Sequence, residues 1–482
     1  MKFLFISPSG DFLPVARRVK EEGNDVAVWI KSARVRGLGI YRGLLEEHEL
    51  PNTLTQAFEV LGGEPDAIIF DHIGLGDLAD ELRQHNLPVW GASKVADKLE
   101  EDRVFGLRVM EQVGIKIPLT SPHLSSLADA QSFMRQHPDI EKWVVKFEGE
   151  NAPRSTVIGE IEEVLDMLDT LLGEGEGSKF ILQQFVEGVE ISTEIWVSGG
   201  QIVDPANATL ETKPYLAGNI GPNTGCMTSI VWAYEEAVPK IVEEGIGKMA
   251  DWLEQQGFNG PIDLNSIVND DGVWGLEWTP RHGYNAVYAL FSLFDDDIGR
   301  VLADAARGQL KVMPVRTDDI AYAIRVYLPP APFVDFFTGD ILERLMQLQR
   351  RGEDVKAIAE ALSKVGIEVN FKRGTGEVAS VDLTEVAAGE LVVLPDAPAA
   401  DIWLLDVKLD RAGRLVTAGM DGIICEVSAA ADRLSVAVRL CEQTVNAIRL
   451  AGKCWRNDGH LRAFDAARLS GLGYEVPHGL FR

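Results

Sequence analysis

Cysteine, long apolar runs and positive charge are all scarce in this chain. Its four cysteines, Cys226, Cys425, Cys441 and Cys454, are widely spaced and include no C-x-x-C pair. That spacing argues against a disulfide framework or a structural zinc cluster and fits a reducing cytoplasm. No segment approaches the ~18–20 uninterrupted apolar residues of a membrane span. The opening MKFLFISPSG is a short apolar strand running into a turn, without the longer apolar core of a signal peptide. Lys+Arg number 46 against 74 Asp+Glu, a formal charge of −28. Broad nucleic-acid binding, which needs cationic surface to displace counterions, is therefore not expected. A local basic pocket for phosphates stays compatible with this balance. The turn after the first strand, SPSGDF, also lacks the G-x-G-x-x-G dinucleotide fingerprint. A Rossmann-type redox enzyme is thereby disfavoured.

What is present is ordinary globular material, 46% hydrophobic and 25% charged. At 482 residues the chain is too long for one core and suggests roughly three or four domains. Over residues 1–90 strands (KFLFIS, DVAVWI, DAIIFD, LPVWGA) alternate with helical segments at 13–22, 54–61 and 77–85. This predicts a parallel, Rossmann-like sheet covered on both faces. A helix over 94–113 stops at Gly114. KWVVKF, FILQQFVEG and VEISTEIWVSGGQIV read as strands, the last with a Gly-Gly turn, and helices are expected over 160–172, 233–256 and 296–307. A domain boundary is placed near 310–318. Beyond it, strands AYAIRVYL, WLLDVKL and GIICEV mix with helices at 341–351, 354–365 and 429–450, and 386–400 is the most linker-like piece.

The densest chemistry lies at 260–283, GPIDLNSIVNDDGVWGLEWTPRHG. A strand of β-formers meets an Asn-Asp-Asp-Gly turn, and the return strand ends in Glu277. Side chains in an extended run repeat every second residue, so Glu277, Thr279 and Arg281 share one face. Asn265, twelve residues earlier, can lie opposite Glu277. Oxygen ligands and a guanidinium at one sheet end suit a divalent cation carrying nucleotide phosphates. An ordinary hairpin with a charged rim would carry the same residues.

The ordered motifs together resemble the ATP-grasp superfamily, and within it the phosphoribosylamine–glycine ligase family. Gly91 to Pro118 resembles the family's Leu-Glu-x-Ser-Lys helix and Gly-Ile-Pro turn, with Leu99 and Glu100 kept and Arg103 at the lysine position. VVKFEG resembles the strand bearing an ATP-contacting lysine, here Lys146. QQFVEGVEIS resembles the hinge, carrying Phe185, Gly188, Glu190 and Ser192. GPNTGCMT at 221–228 is nearly the signature GPNTGGMG, and EWTPR resembles the E-x-N-x-R magnesium motif. The C-terminal RLVTAGMDGIICEVS and the tail from Cys454 to Tyr474 resemble the family's last domain.

This resemblance implies an N-terminal Rossmann-like domain (1–118), an ATP-grasp small lobe or lid (119–188), a large lobe with the metal site (189–315) and a C-terminal α+β domain (316–482). It implies an ATP- and Mg²⁺- (or Mn²⁺-) dependent carboxylate–amine ligase working through an acyl phosphate. Gln183, Gln184, Phe185 and Val186 would meet adenine, and Glu190 the ribose. Lys146, Arg103 and Lys213 would meet the phosphates, and Arg281 the transferring group. Glu277, Asn265 and Thr279 would hold the metal. GPNTGCMT, a loop exposing backbone N–H groups, would seat the substrate through Asn223, Thr224 and Gly225. The expected partners are small acids and amines rather than membranes, and the expected assembly is a monomer or homodimer. Cys226, which replaces a family glycine, is expected to pack rather than react.

Three departures bear on the substrate. The turn that carries arginine and histidine in the family is SPSGDFLPVA here, and Asp11 would repel a phosphate. The glycine-rich lid reads GENAPRST, with Pro153 stiffening it and Arg154 as a possible stand-in cation. Thr279 replaces the metal-binding asparagine, and RHGYNA replaces R-F-G-D-P-E. An altered acceptor is therefore expected, with a nucleotide-binding scaffold or sensor as the rival reading.

Overall fold

A computed structural model of the chain describes residues 1–148, 157–173, 179–235, 238–328, 342, 345–346, 348–351, 354–363, 367–372, 376–383, 389–419 and 422–481. Strands β1 (Lys2–Ser7), β2 (Asp25–Ile30), β3 (Ala67–Phe70) and β4 (Val89–Trp90) form a parallel sheet in the order β2-β1-β3-β4. They are almost wholly buried, as apolar strands covered on both faces must be. The Rossmann-like expectation holds.

Strands β5 (Lys142–Glu148), β6 (Val157–Glu160) and β7 (Lys179–Gln184) make a small antiparallel sheet in the order β6-β5-β7. The helices Leu127–Gln136 and Ile161–Gly173 close a separate core there around Trp143, Val145, Leu168 and Phe180. The large sheet contains β8 (Val189–Ser198), β9 (Gln201–Leu216), β10 (Ile220–Ala233), β11 (Gly260–Asn269), β12 (Gly272–Thr279) and β13 (Ile320–Tyr327). Two short antiparallel ribbons follow, β14 (Ile367–Phe371) with β15 (Val378–Leu383) and β17 (Val407–Leu409) with β18 (Leu415–Thr417). Strands β16 (Asp401–Leu404) and β19 (Ile423–Ala431) complete the large sheet, whose order is β12-β11-β8-β9-β10-β13-β19-β16. One sheet thus runs across the 310–318 region, and residues 320–327 and 423–431 extend the same layer that carries the metal-motif hairpin.

Several local expectations are corrected. The helix expected over 94–113 is two helices, Lys94–Glu101 and Arg103–Gln112. Asp102 leaves helical geometry between them and its carboxylate accepts the Phe105 N–H at 2.9 Å, a cap that starts a new helix. Residues 233–256 are not one helix. Strand β10 reaches Ala233, and among the described residues only Lys240–Glu244 and Ala250–Gln255 are α-helical, separated by non-helical Gly245 and a 3₁₀ turn. Residues 429–431 pair with β13 rather than opening a helix, which begins at Leu434; sheet pairing overrides the helix propensity of alanine. The described part of 386–400 is no free linker, because Leu391 bridges Val416 and Val393 bridges Arg449. The lid residues Pro153 and Arg154 lie outside the described residues, as do four residues of the helix expected over 341–351.

The N-terminal domain is fastened to the large sheet by rings. Trp90 and Trp196 centroids lie 5.0 Å apart, and His282 sits 5.4 Å from Trp196 and 4.9 Å from Phe12. At the other end, Arg325 on β13 and Glu426 on β19 face each other as a buried ion pair, and Asn285 also donates to Glu426. Removing one member of such a pair strands the other charge in the interior. Arg325→Met should therefore lower the free energy of urea unfolding by about 3–5 kcal/mol. The double variant Arg325→Met/Glu426→Leu should recover most of that loss. An equal loss in both would show that the pair's charges do not govern this layer's stability.

Candidate active site

The floor of the site is the β11–β12 hairpin. Its turn is set by Asn269, whose Oδ1 accepts the Asp271 N–H at 3.0 Å and the Trp274 indole N–H at 3.1 Å, and by Gly272 at φ 111°. The resulting register places Asn265 opposite Glu277 and Asp263 opposite Thr279, with one irregularity after Asn265. Glu277, 38% exposed, accepts from Arg103 Nη1 at 2.8 Å. The Asp102 cap is what delivers Arg103, because it makes that arginine the first residue of the second helix. On β9, Lys213 Nζ donates to Glu190 at 3.0 Å and lies 3.7 Å from Glu211. Arg281 binds the Glu100 carboxylate through Nη2 at 2.9 Å and Nε at 3.2 Å, and lies over the Tyr284 ring at 4.4 Å.

The small lobe supplies Lys146. Alternation along β5 sends Trp143, Val145 and Phe147 into that lobe's core and leaves Lys146 on the opposite side, where it feels Glu277, Arg103, Lys213 and Glu190 of the large lobe. Burial lowers the Lys146 ammonium below the ordinary lysine range, with the Glu277 charge opposing the shift. Burial alone would raise the Glu277 carboxyl, but Lys146, Arg103 and Lys213 outweigh it and hold it at about 2. Glu277 is therefore an anion at any ordinary pH. Burial works against the Lys213 charge, yet Glu211, Glu190 and Glu277 push its ammonium well above the usual range. Glu190 ends below the ordinary carboxylate value because Lys213 outweighs its burial. The arrangement is a cleft in which cations from three segments surround fixed carboxylates.

The structure brings Lys146, Arg103, Lys213, Glu190 and Glu277 together. Arg281 is one step away, in its own pair with Glu100. The two neutral metal candidates behave differently from Glu277. Asn265 Oδ1 accepts from Ser192 Oγ at 2.9 Å, and its amide donates to Asp263 at 3.2 Å and to Thr279 Oγ1 at 3.1 Å. Asn265 and Thr279 thus satisfy each other beneath the floor. Among the described residues no group of three or more His, Cys, Asp or Glu side chains is placed to hold a metal. The anionic Glu277 fits a hard cation that draws its other oxygens from phosphates.

At the lobe junction, Gln183 is buried and its amide donates to Thr120 Oγ1 at 3.1 Å, which takes it away from the cleft. The half-buried Gln184, Phe185 and Val186 form the edge beyond it, and the backbone N–H groups of Gln184 and Phe185 bond Leu119 O and Lys142 O. GPNTGCMT is not a free loop. It lies within β10, which pairs β9 through two register shifts flanking Asn223. Thr224 Oγ1 donates to Lys213 O at 2.8 Å, and an added Cβ at Gly225 would lie 3.6 Å from Arg325. Cys226 is buried, and burial pushes its thiol up to about 12, as suits packing rather than nucleophilic chemistry.

Three contributors escaped sequence reasoning. Glu211 stands two residues before Lys213 on an extended run, so the period of two could have flagged it. Glu100 lay inside a quoted motif without a role. Arg462 comes from the far end of the chain and donates to Glu211 O at 2.8 Å and Glu190 O at 2.6 Å; no local pattern announces it.

Known proteins resemble this chain in sequence over part of its length and in fold. Residues 101–283 match the family model for the phosphoribosylglycinamide synthetase ATP-grasp (A) domain. A phosphoribosylamine–glycine ligase of Leifsonia xyli is 27% identical over 242 residues, 49% of this chain and 57% of that protein. The Corynebacterium ammoniagenes enzyme of the same name is 26% identical over 318 residues, 63% of this chain and 73% of its own length. The chain thus spans a little over half to about three quarters of the curated relatives it matches. The crystal structure of a Thermotoga maritima phosphoribosylamine–glycine ligase superposes with TM-score 0.65 at 17% identity, covering 95% of this chain and all of that one.

The charge coupling between the lobes is directly measurable. Glu277 supports the Lys146 charge, so Glu277→Gln should move the Lys146 titration to still lower pH. ¹³C NMR of labelled lysine side chains, with the signal assigned by its loss in Lys146→Arg, reads this shift. An unchanged or raised titration would mean that the two lobes do not communicate through these residues.

Proposed function

We propose that this ATP-grasp protein, a relative of the phosphoribosylamine–glycine ligases carrying their ATP-grasp (A) domain, is an ATP- and Mg²⁺-dependent carboxylate–amine ligase. The observation that carries this reading is the facing of Lys146 on the small-lobe sheet and Glu277 on the large-lobe hairpin, with Arg103 and Lys213 beside them. Cations on both sides of a cleft suit a polyphosphate lying between the lobes. Lys146, Arg103 and Lys213 take the phosphates and Glu190 the ribose hydroxyls. Gln184, Phe185 and Val186 offer the adenine edge, with Gln183 bracing them from behind.

Glu277 would hold the magnesium ion, which when bound neutralises phosphate charge. Asn265 and Thr279 then set the floor beneath that carboxylate. A substrate carboxylate oxygen attacks the γ-phosphorus and ADP leaves, giving an acyl phosphate. The amine nitrogen then attacks the acyl carbon, the bond to the phosphate oxygen breaks, and phosphate and a proton depart. Arg281, kept charged by Glu100, faces the transferring group with a forked donor. Asn223, Thr224 and Gly225 line the acid's side of the cleft. In this reading the protein works in the cytoplasm as a monomer or homodimer, with divisions near 118, 188 and 315, the last of them crossed by the shared large sheet.

A second reading, a nucleotide-binding scaffold or sensor, draws on the engagement of Asn265 with Thr279, which leaves Glu277 as the charged metal ligand. One assay separates the two. With ATP, Mg²⁺ and a panel of amino acids as acids, hydroxylamine should trap an acyl phosphate as hydroxamate while ADP appears. Lys146→Ala and Glu277→Ala should each reduce ADP formation by about 10²–10³-fold. Full activity in both variants would sink the site, and nucleotide binding without ADP or hydroxamate from any acid would favour the scaffold.

A further inference from the structure

A second concentration of positive charge lies far from the cleft. Strand β16 ends the large sheet at the edge opposite β12, seven strand steps from Glu277, or on the order of 30 Å along the layer. There β16, β19 and the helix Leu434–Ala447 meet the N-terminal helix Leu13–Glu21 around a cavity of about 550 Å³. Sites for small molecules fall in this size range. Arg17, Arg18 and Arg316 line it, and Asp401 is the one acid among its described lining residues. In a chain of formal charge −28, that local balance is the reverse of the whole.

The guanidiniums are held in place before any ligand arrives. Arg18 lies over the buried Trp403 ring at 4.6 Å and donates through Nη2 to Asp401 at 3.0 Å. Arg316 donates to Asp319 at 2.7 Å, to Asp295 at 2.9 Å and to the Ser292 carbonyl oxygen at 2.6 Å. Arg17 meets Glu21 through Nε at 2.9 Å. Glu21, Asp295 and Asp319 hold these cations from outside the cavity's lining. Among the described residues the side chains of Arg17 and Arg18 make no other hydrogen bond, so both keep N–H groups for an incoming acceptor. The rest of the wall is largely apolar, with Leu394, Pro395, Pro398, Ile402, Leu404 and Leu440.

We propose that this cavity binds an organic anion, a carboxylate or phosphate head on a short apolar body, at a site separate from the nucleotide cleft. Arg17 and Arg18 would take the head, since their forked donors match two oxygens of either group, and Arg316 adds charge. The body would displace water from the aliphatic and proline wall. An ammonium would meet like charge, and inorganic phosphate would leave the apolar wall wet. Because Arg17 and Arg18 belong to the N-terminal helix and Asp401 and Ile402 to β16, a bound anion would also tie those two segments together. Nothing in this site requires ligase chemistry.

The test reads binding rather than turnover. Full-length protein, its cleft filled with a non-hydrolysable ATP analogue and Mg²⁺, is titrated with n-hexyl phosphate, hexanoate, n-hexylamine and inorganic phosphate, followed by ligand-observed NMR. One or both hexyl anions should bind, the tighter naming the head group, and hexylamine and inorganic phosphate should bind far more weakly. Arg17→Gln and Arg18→Gln should each weaken the anion by about tenfold or more. Their ion pairs with Glu21 and Asp401 are partly exposed and worth little, so both variants should keep the wild-type melting temperature. Either variant alone decides if the other unfolds. Absence of binding by both anions, hexylamine binding as tightly, inorganic phosphate binding as tightly as hexyl phosphate, or affinity unchanged in the variants would each overturn the proposal. Failure of the analogue to bind would instead sink the ligase reading, and the same titrations, compared between wild type and the arginine variants, still decide what the cavity accepts.

Discussion

Glu277 is the charge around which the rest of the site is arranged. It closes an edge strand of the large sheet, pairs with Arg103 and sits in the field of Lys146 and Lys213. Each of those cations carries a desolvation cost that Glu277 partly offsets, most clearly for Lys146, which burial pulls toward neutrality. The carboxylate in turn stays ionised because three cations outweigh its own burial. The cluster is therefore mutually dependent, and it joins a helix of the N-terminal region, a strand of the small lobe and two strands of the large one. Nearby charges in a half-dry cleft interact several times more strongly than in water, so small lobe movements change the energy of all of them.

The remote end of the chain keeps those strands in place. Arg456 is buried and donates to Pro214 O at 2.8 Å and Asn219 Oδ1 at 2.7 Å, while Asp458 accepts the Gly218 N–H at 2.7 Å. Arg462 clasps the backbones of β8 and β9 at the residues whose side chains meet Lys213. The β9–β10 hairpin is long and has two register shifts near its tip, so without these contacts Lys213 and the Asn223–Gly225 stretch would rest on an irregular ladder. The C-terminal residues thus complete the site by bracing it. They also complete the sheet itself, since β13 and β19 extend the layer in which the hairpin lies.

Local signals were legible where they were strong. The parallel N-terminal sheet, the β11–β12 hairpin and the Asn265–Glu277 pairing all follow from alternation and turn chemistry within short stretches. Lys146 was legible because one polar residue in an apolar strand must face away from the core. The readings that failed depend on distant partners. Ala429 and Ala430 are strand residues only because β13 lies beside them. Gln183 looks like an exposed hinge amide until Thr120, from another segment, captures it. GPNTGCMT resembles a loop, since nothing in its eight residues reveals that β9 runs alongside. Asp102 is the exception, for its capping signal was present in the sequence and decides where Arg103 points.

The overall acidity of the chain gives the site its contrast. With a formal charge of −28, a concentration of Lys146, Arg103, Lys213 and Arg281 in one cleft has to be assembled deliberately by strand register and a helix start. Each of three of these cations is met by a carboxylate of the protein itself: Glu277 for Arg103, Glu190 for Lys213 and Glu100 for Arg281. An entering polyphosphate would therefore exchange one anionic partner for another rather than meet bare charge, and the carboxylates hold the cations in position before it arrives.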